Sequence, residues 1–289
     1  MVEISRGRVE CNGLQISYLE AGEGPPVVFI HGWPTNAELW RTVLTQVGKT
    51  HRAIAIDLPG FGRSDKPTDT RYSFRFFSKV LDGFADALGL QRFGLVVHDL
   101  GGPIGLYWAV HNPGRIRELA LLNTLCFPEL SWAVKAFVLS TYVPGVRGLL
   151  SSPRGVRWSM LFGVNDKTRI TDEVAALYTA PYENDAGARK ALLMAGQGLR
   201  PKRFREISEG LHQFGAIPVR LLYGEDDRIL PKVADTMRRV AELLPNAQTT
   251  ALAGCGHFLQ EDRPTEVAEQ LASFFATAAD DAAAEITRP

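Results

Sequence analysis

One stretch constrains the fold more than any other: Leu95-Val96-Val97-His98-Asp99-Leu100-Gly101-Gly102-Pro103-Ile104-Gly105. The apolar, β-branched run before Asp99 has the composition of a strand buried on both faces. Glycines follow at once, and apolar residues at helical spacing continue through Leu106, Trp108, Ala109 and Val110. A strand that turns into a helix within so few residues pushes its central side chain outward at the carboxyl end of a sheet. Small residues after the turn let the helix cross close to the strand. The turn has the shape of a nucleophile elbow with aspartate at its tip. Capping of the following helix accounts for Asp99 equally well from this stretch alone, so its partners must decide.

The flanking sequence supplies the frame. Residues 9–11, a turn at Asn12-Gly13 and residues 14–20 read as an opening hairpin. Val27-Val28-Phe29-Ile30 is a buried strand running into His31-Gly32-Trp33-Pro34-Thr35. A helix carries Leu39, Trp40, Val43, Leu44 and Val47, and residues 53–56 form the next strand. Residues 74–88 are amphipathic, with Phe77, Leu81, Phe84 and Leu88 at helical spacing, and residues 116–123 are again a strand. This alternation implies right-handed crossovers and a mostly parallel sheet. It stops near Cys126 and resumes with a strand at 219–223, a helix at 231–244, a strand near 248–252 and a helix at 264–275. Residues 1–125 and 215–289 therefore read as one α/β core, and residues 126–214, helical throughout, as an inserted cap. The Ala- and Asp-rich tail after Ala276 is expected to fray.

Composition narrows the function. A chain of 289 residues, 45% hydrophobic with zero formal net charge, is that of an ordinary globular protein. Overall neutrality gives no reason to expect nucleic acid or a membrane surface as partner. Cys11, Cys126 and Cys255 have no metal-like spacing and suggest neither a zinc site nor a disulfide framework. The first ten residues lack the apolar run of a signal peptide, so a cytoplasmic monomer or homodimer is expected.

Two further strand ends carry chemistry. Asp227 follows the strand ending in Leu222-Tyr223-Gly224, and His257 lies in a glycine-rich loop after the 248–252 strand. Parallel sheets place ligands at the carboxyl ends of their strands, so Asp99, Asp227 and His257 fall on one rim. A lone loop histidine is ordinarily a solvated residue, but these three at three strand ends read as a catalytic set. Asp226 competes with Asp227; the glycine three residues earlier favours Asp227. His51, His111 and His212 have no motif around them, and His98 faces away from the elbow tip by strand alternation. Asp57, Arg63 and Asp65 read as braces of their Gly- and Pro-rich loop. Arg154, Arg157 and the basic run 200–205 read as a solvated face.

With these residues in place, the chain resembles the α/β-hydrolase superfamily, in its branch with an aspartate nucleophile: haloalkane dehalogenases and epoxide hydrolases. The order aspartate, acid, histidine is that of α/β-hydrolases. The resemblance rests on His31-Gly32-Trp33-Pro34-Thr35, Gly60-Phe61-Gly62-Arg63-Ser64-Asp65-Lys66-Pro67, Val97-His98-Asp99 and His257-Phe258-Leu259-Gln260-Glu261-Asp262. It implies an eight-stranded, mostly parallel sheet beneath the cap. Ser64-Asp65-Lys66-Pro67, the run 258–262 and Tyr178-Thr179-Ala180-Pro181-Tyr182 are more similar to dehalogenases. Asn123 stands where some dehalogenases carry the acid, and its being an amide favours Asp227 for that role.

The resemblance implies attack by Asp99 on a saturated carbon, an alkyl ester on the enzyme, and hydrolysis of that ester by water activated by His257, itself oriented by Asp227. The backbone N–H groups of Trp33 and Leu100 would hold the oxyanion, and no metal or organic cofactor is required. A small apolar substrate would sit among cap residues, with Trp132, Tyr142, Trp158, Tyr178 and Tyr182 as candidates. Two positions depart from the dehalogenase pattern. Leu100 replaces the tryptophan whose indole holds the halide, and Trp33 replaces a frequent asparagine. For a halide leaving group, Trp33, Trp132 and Trp158 are the candidate donors. An epoxide hydrolase, another hydrolase on this fold and a non-catalytic ligand-binding relative are the alternatives.

Overall fold

The computed structural model describes residues 2–198 and 201–286; Arg200, at the head of the basic run, lies outside the described residues. Eight strands form one sheet: β1 (Ile4–Cys11), β2 (Leu14–Ala21), β3 (Pro26–Ile30), β4 (Arg52–Ile56), β5 (Phe93–Asp99), β6 (Ile116–Thr124), β7 (Val219–Gly224) and β8 (Ala247–Leu252), in the order β1-β2-β4-β3-β5-β6-β7-β8. The β1–β2 and β2–β4 pairings are antiparallel; β4-β3-β5-β6-β7-β8 is parallel throughout. The fold is the expected one. The first strand is longer than expected, because charged Arg6, Arg8 and Glu10 suit an edge strand whose outer face is wet.

Helices α1 (Arg41–Val47), α2 (Phe74–Ala87) and α3 (Gly101–His111) follow β3, β4 and β5. Side-chain alternation on β5 assigns the two faces. A Cβ on Gly105 of α3 would press on Val97, while one on Gly94 would press on Phe275 from the last helix. Residues 95 and 97 therefore face α3 and residue 94 the opposite layer. Residues 93–98 of β5 are all buried, which explains why that strand reads as an unbroken apolar run.

Between β6 and β7 lie α4 (Trp132–Ser140), α5 (Val146–Leu150), α6 (Pro153–Gly163), α7 (Asp172–Thr179), α8 (Ala186–Gly196) and α9 (Pro201–Gly210), with no strand among the described residues of this insertion. Ser131, Ser152, Thr171 and Asp185 cap four of these helices, each side chain accepting an N–H of the first turn. The chain closes with α10 (Val233–Leu243), α11 (Leu259–Asp262) and α12 (Pro264–Ile286). α12 does not end at Ala276: the alanine-rich segment after it keeps helical form, in line with the high helix propensity of alanine. Cys11, Cys126 and Cys255 are free and buried, and burial pushes their thiols up to about 11, 12 and 12.

Candidate active site

Asp99 sits at the tip of the turn with φ 50°, in the left-handed region that a non-glycine residue adopts only under local constraint. Close packing supplies the constraint. A Cβ on Gly101 would lie 2.4 Å from the His31 carbonyl oxygen, and one on Gly102 would lie 1.6 Å from Thr124 Oγ1. Thr124 Oγ1 donates to the Asp99 carbonyl at 2.7 Å, fastening the turn to β6.

One carboxylate oxygen of Asp99, Oδ1, accepts the backbone N–H of Trp33 at 2.7 Å. The other, Oδ2, lies 3.3 Å from His257 Nε2. That nitrogen is buried, off hydrogen-bond alignment with the carboxylate and otherwise unpartnered. On the far side of the ring, His257 Nδ1 meets Asp227 Oδ2 at 2.8 Å. Asp227 is itself held: Oδ1 accepts the N–H groups of Ile229 and Leu230 at 2.8 and 2.7 Å. The structure thus brings Asp99, His257 and Asp227 together, each from a different strand end. Asp226 points elsewhere, accepting from Asn165 Nδ2 at 2.6 Å.

Burial alone would drive the imidazole of His257 neutral, but the two flanking carboxylates outweigh it and raise its pKa to about 10. Burial likewise opposes ionisation of Asp99 and Asp227, and His257 outweighs it, holding both below the usual carboxylate range. The Leu100 backbone N–H adds to the effect on Asp99.

The surrounding histidines are structural. His98 is buried and brought down to about 4 by burial and by His257. It is therefore neutral, and its Nε2–H donates to the His257 carbonyl at 2.9 Å. Strand alternation placed it away from the Asp99 tip; it stacks instead beneath the His257 loop. His31 accepts the Leu58 N–H at Nε2 and pairs with the Gly32 carbonyl through Nδ1, bracing the loop that presents Trp33. Asp57 and Asp65 brace their own loop, accepting from the backbones of Ala37, Arg63 and Gln15.

Two acidic residues after His257 explain why that run is recognisable in the sequence. Asp262 accepts the N–H groups of Gly256, Asn165 and Asp166, tying the histidine loop to the helical insertion. Buried Glu261 receives Arg41 in a two-pronged pair at 2.5 and 2.7 Å and also the Tyr178 hydroxyl.

Asp99 opens into a cavity of about 260 Å³ lined by Trp33, Leu100, Leu125, Phe137, Leu230 and, at its outer end, Trp132, Leu150, Trp158 and Phe162. Of the sequence candidates, Trp132 and Trp158 line it. Tyr178, Tyr182 and Tyr142 do not: Tyr178 is spent on Glu261, Tyr182 is buried away from the cavity, and Tyr142 is exposed. The indole of Trp33 does not offer its N–H to the cavity either; it donates to the Leu192 carbonyl at 3.2 Å. Sequence reasoning missed Arg228, a cation in the lining, although its place beside Asp227 was a signal.

A sheet of this order, with an aspartate elbow, a histidine and a supporting acid at three strand ends, defines an α/β-hydrolase. The chain belongs to that family: the family model described as alpha/beta hydrolase fold matches residues 25–264. It is an enzyme of the hydrolase class, similar to haloalkane dehalogenases. Haloalkane dehalogenase 2 of Mycobacterium tuberculosis is 31% identical, covering 94% of this chain and 92% of that protein. The cis-3-alkyl-4-alkyloxetan-2-one decarboxylase of Shewanella oneidensis is 29% identical, covering 91% and 86%. The solved loop variant of the haloalkane dehalogenase DbeA from Bradyrhizobium elkanii superposes with a TM-score of 0.85 over 98% of this chain and all of that one, at 24% identity.

Proposed function

We propose that this enzyme hydrolyses small apolar electrophiles through an alkyl ester on Asp99, in the manner of a haloalkane dehalogenase, with the helical insertion as the cap over the substrate. The observation that carries the reading is the division of labour between the two Asp99 oxygens. Oδ1 is fixed by the Trp33 N–H, whereas Oδ2 lies 3.3 Å from His257 Nε2 without an aligned hydrogen bond and is the oxygen free to attack. Displacement at saturated carbon forms the Oδ2–C bond and expels the leaving group with its electron pair. No base is needed for that step. Esterification then removes the Asp99 charge, one of the two charges holding a proton on His257. The imidazole sheds that proton to solvent and becomes the base that activates water. Water attacks Asp99 Cγ and gives a proton to His257 Nε2, and the negative charge develops on Oδ1, where the Trp33 and Leu100 N–H groups stabilise it by roughly 3 kcal/mol per donor. Collapse breaks the Cγ–Oδ2 bond: the product alcohol leaves with Oδ2 and the proton from His257, and the acid left on Asp99 ionises by passing its proton to His257. Asp227 fixes the ring and balances its charge when the proton returns.

A second reading of the leaving group is favoured by the committed Trp33 indole. With Leu100 at the next position, no indole N–H among the described residues faces Asp99 from the inner cavity, while Trp132 and Trp158 stand at its exposed outer end. Epoxide opening would draw on cap tyrosines, and Tyr142, Tyr178 and Tyr182 all lie outside the lining. A strained oxetan-2-one, the substrate named for the Shewanella relative, needs neither donor. Attack at its saturated ring carbon releases a carboxylate, a weakly basic group that Arg228 in the lining would attract.

The test is intact-mass spectrometry of His257→Gln exposed in turn to bromoalkanes, epoxides and alkyl-substituted oxetan-2-ones. An adduct is expected on the peptide containing Asp99. A haloalkane adds only its alkyl group, whereas an opened ring adds its whole mass, so the adduct identifies the leaving group. No adduct with any substrate that the wild type turns over overturns the covalent route.

A further inference from the structure

Eight of the nine large apolar residues exposed among the described residues lie on α4, α5, α6 and the α4–α5 turn; only Leu243 lies elsewhere. Trp132, Leu139, Tyr142, Val146, Leu149 and Trp158 are between 42% and 76% exposed. α5 has no buried residue at all, and every residue from 142 to 149 is exposed. A helix normally forms in a protein by burying one face, so this one lacks a partner. Exposed apolar side chains gathered in this way on consecutive helices mark an interaction site.

Charge selects the partner. The segment 131–163 contains Lys135, Arg147, Arg154 and Arg157 and no acidic residue, in a chain whose total is neutral. Arg157 pairs with Asp172, whereas Lys135, Arg147 and Arg154 are exposed and outside every ion pair found among the described residues. Two copies of this face brought together would oppose like charges. Tryptophan, tyrosine and leucine interspersed with unpaired cations instead match the boundary of an anionic bilayer, where the rings sit at headgroup depth and the cations meet phosphate.

We infer that α4–α6 form a docking surface for an anionic lipid membrane, which seats the mouth of the active-site cavity on the bilayer. Trp132, Leu150, Trp158 and Phe162 belong to both the cavity lining and these helices, so an apolar substrate dissolved in the membrane would enter without crossing water. Whole-chain neutrality hides this surface, which is why composition argued against a membrane partner. The contact is peripheral: among the described residues no helix is long and apolar enough to cross a membrane.

The test is flotation of the full chain with vesicles of phosphatidylcholine, with and without phosphatidylglycerol, at low and high salt. Wild type is expected to float with the phosphatidylglycerol vesicles, to release at high salt, and to show a blue shift of tryptophan emission on binding. Val146→Ser with Leu149→Ser, and separately Arg147→Glu with Arg154→Glu, should each weaken binding by about tenfold or more. All four residues are exposed and outside the cavity lining, so turnover of a water-soluble substrate should stay unchanged. Failure of the wild type to float with phosphatidylglycerol vesicles overturns the proposal, as does unaltered binding by both double variants. A wild-type dimer that Val146→Ser with Leu149→Ser dissociates would also overturn it, because a second copy would then cover the face.

Discussion

Asn123 and His257 donate to the same carboxylate oxygen: Asp227 Oδ2 receives the Asn123 amide at 2.7 Å and the His257 ring at 2.8 Å. The carbonyl of the same amide accepts the Gly224 N–H at 3.0 Å, so Asn123 locks the acid to the end of β7. Replacing Asn123 by Ala leaves a buried carboxylate short of a donor, at about 1–3 kcal/mol. Rapid-quench kinetics should show slower ester hydrolysis with an unchanged alkylation rate, since in the proposed mechanism only the second step uses His257. Equal slowing of both steps would contradict this placement.

Asp99→Asn should fold normally, because asparagine tolerates the positive φ better than most residues. Its amide cannot displace a leaving group, and turnover should fall by at least about 10³-fold. The measurement is initial rate on freshly purified protein, with intact mass checked for deamidation back to aspartate.

Stability should respond to pH through His257. Its folded pKa, about 10, lies above its ordinary 6.5. The folded state therefore binds the proton more tightly than the unfolded chain. The resulting stabilisation is complete below pH 6.5 and is lost as pH rises through about 10. The unfolding temperature of wild type should fall across that window by more than that of His257→Gln, measured by calorimetry. Parallel curves for the two proteins would refute the linkage.

Tyr178→Phe removes one donor from the Glu261 carboxylate but touches nothing in the cavity. A loss of about 1.5–3 kcal/mol in denaturant unfolding is expected, with kcat and KM unchanged. A change in KM alone would return Tyr178 to the substrate pocket.

Leu100→Trp restores an indole N–H next to Asp99. If halide is the leaving group, bromide binding followed by fluorescence quenching, and bromide release from bromoalkanes, should rise about tenfold. If neither changes while ring substrates are turned over faster than any haloalkane, the ring-opening reading replaces the dehalogenase one.

The residues legible in the sequence are those whose surroundings are local. Asp99 ends its strand, and Asp227 and His257 each follow theirs by a few residues, so position along the chain already locates them on one rim. The cap was harder. Tyr142, Tyr178 and Tyr182 carry plausible chemistry, but which face of a helix meets the cavity depends on packing between segments far apart in sequence. Tyr178 is claimed by Glu261, 83 residues away, and the Trp33 indole by Leu192, 159 residues away. A separation of 104 residues likewise hides the bond from Asn123 to Asp227, although the amide at that position is legible in the sequence.

Trp33 belongs to two structures at once. Its backbone N–H holds Asp99 Oδ1, its indole is bonded to α8, and its ring lies edge-on to Phe137 of α4 at 4.7 Å. The helical insertion and the N–H that holds Asp99 Oδ1 are thus coupled through a single residue. A displacement of α8 would reach the Asp99 carboxylate through Trp33. Trp33 also lines the cavity, so substitutions far out in α8 that loosen the Leu192 carbonyl should register in kcat as well as in affinity, and screens of this insertion for altered substrate preference will also collect variants that change the rate.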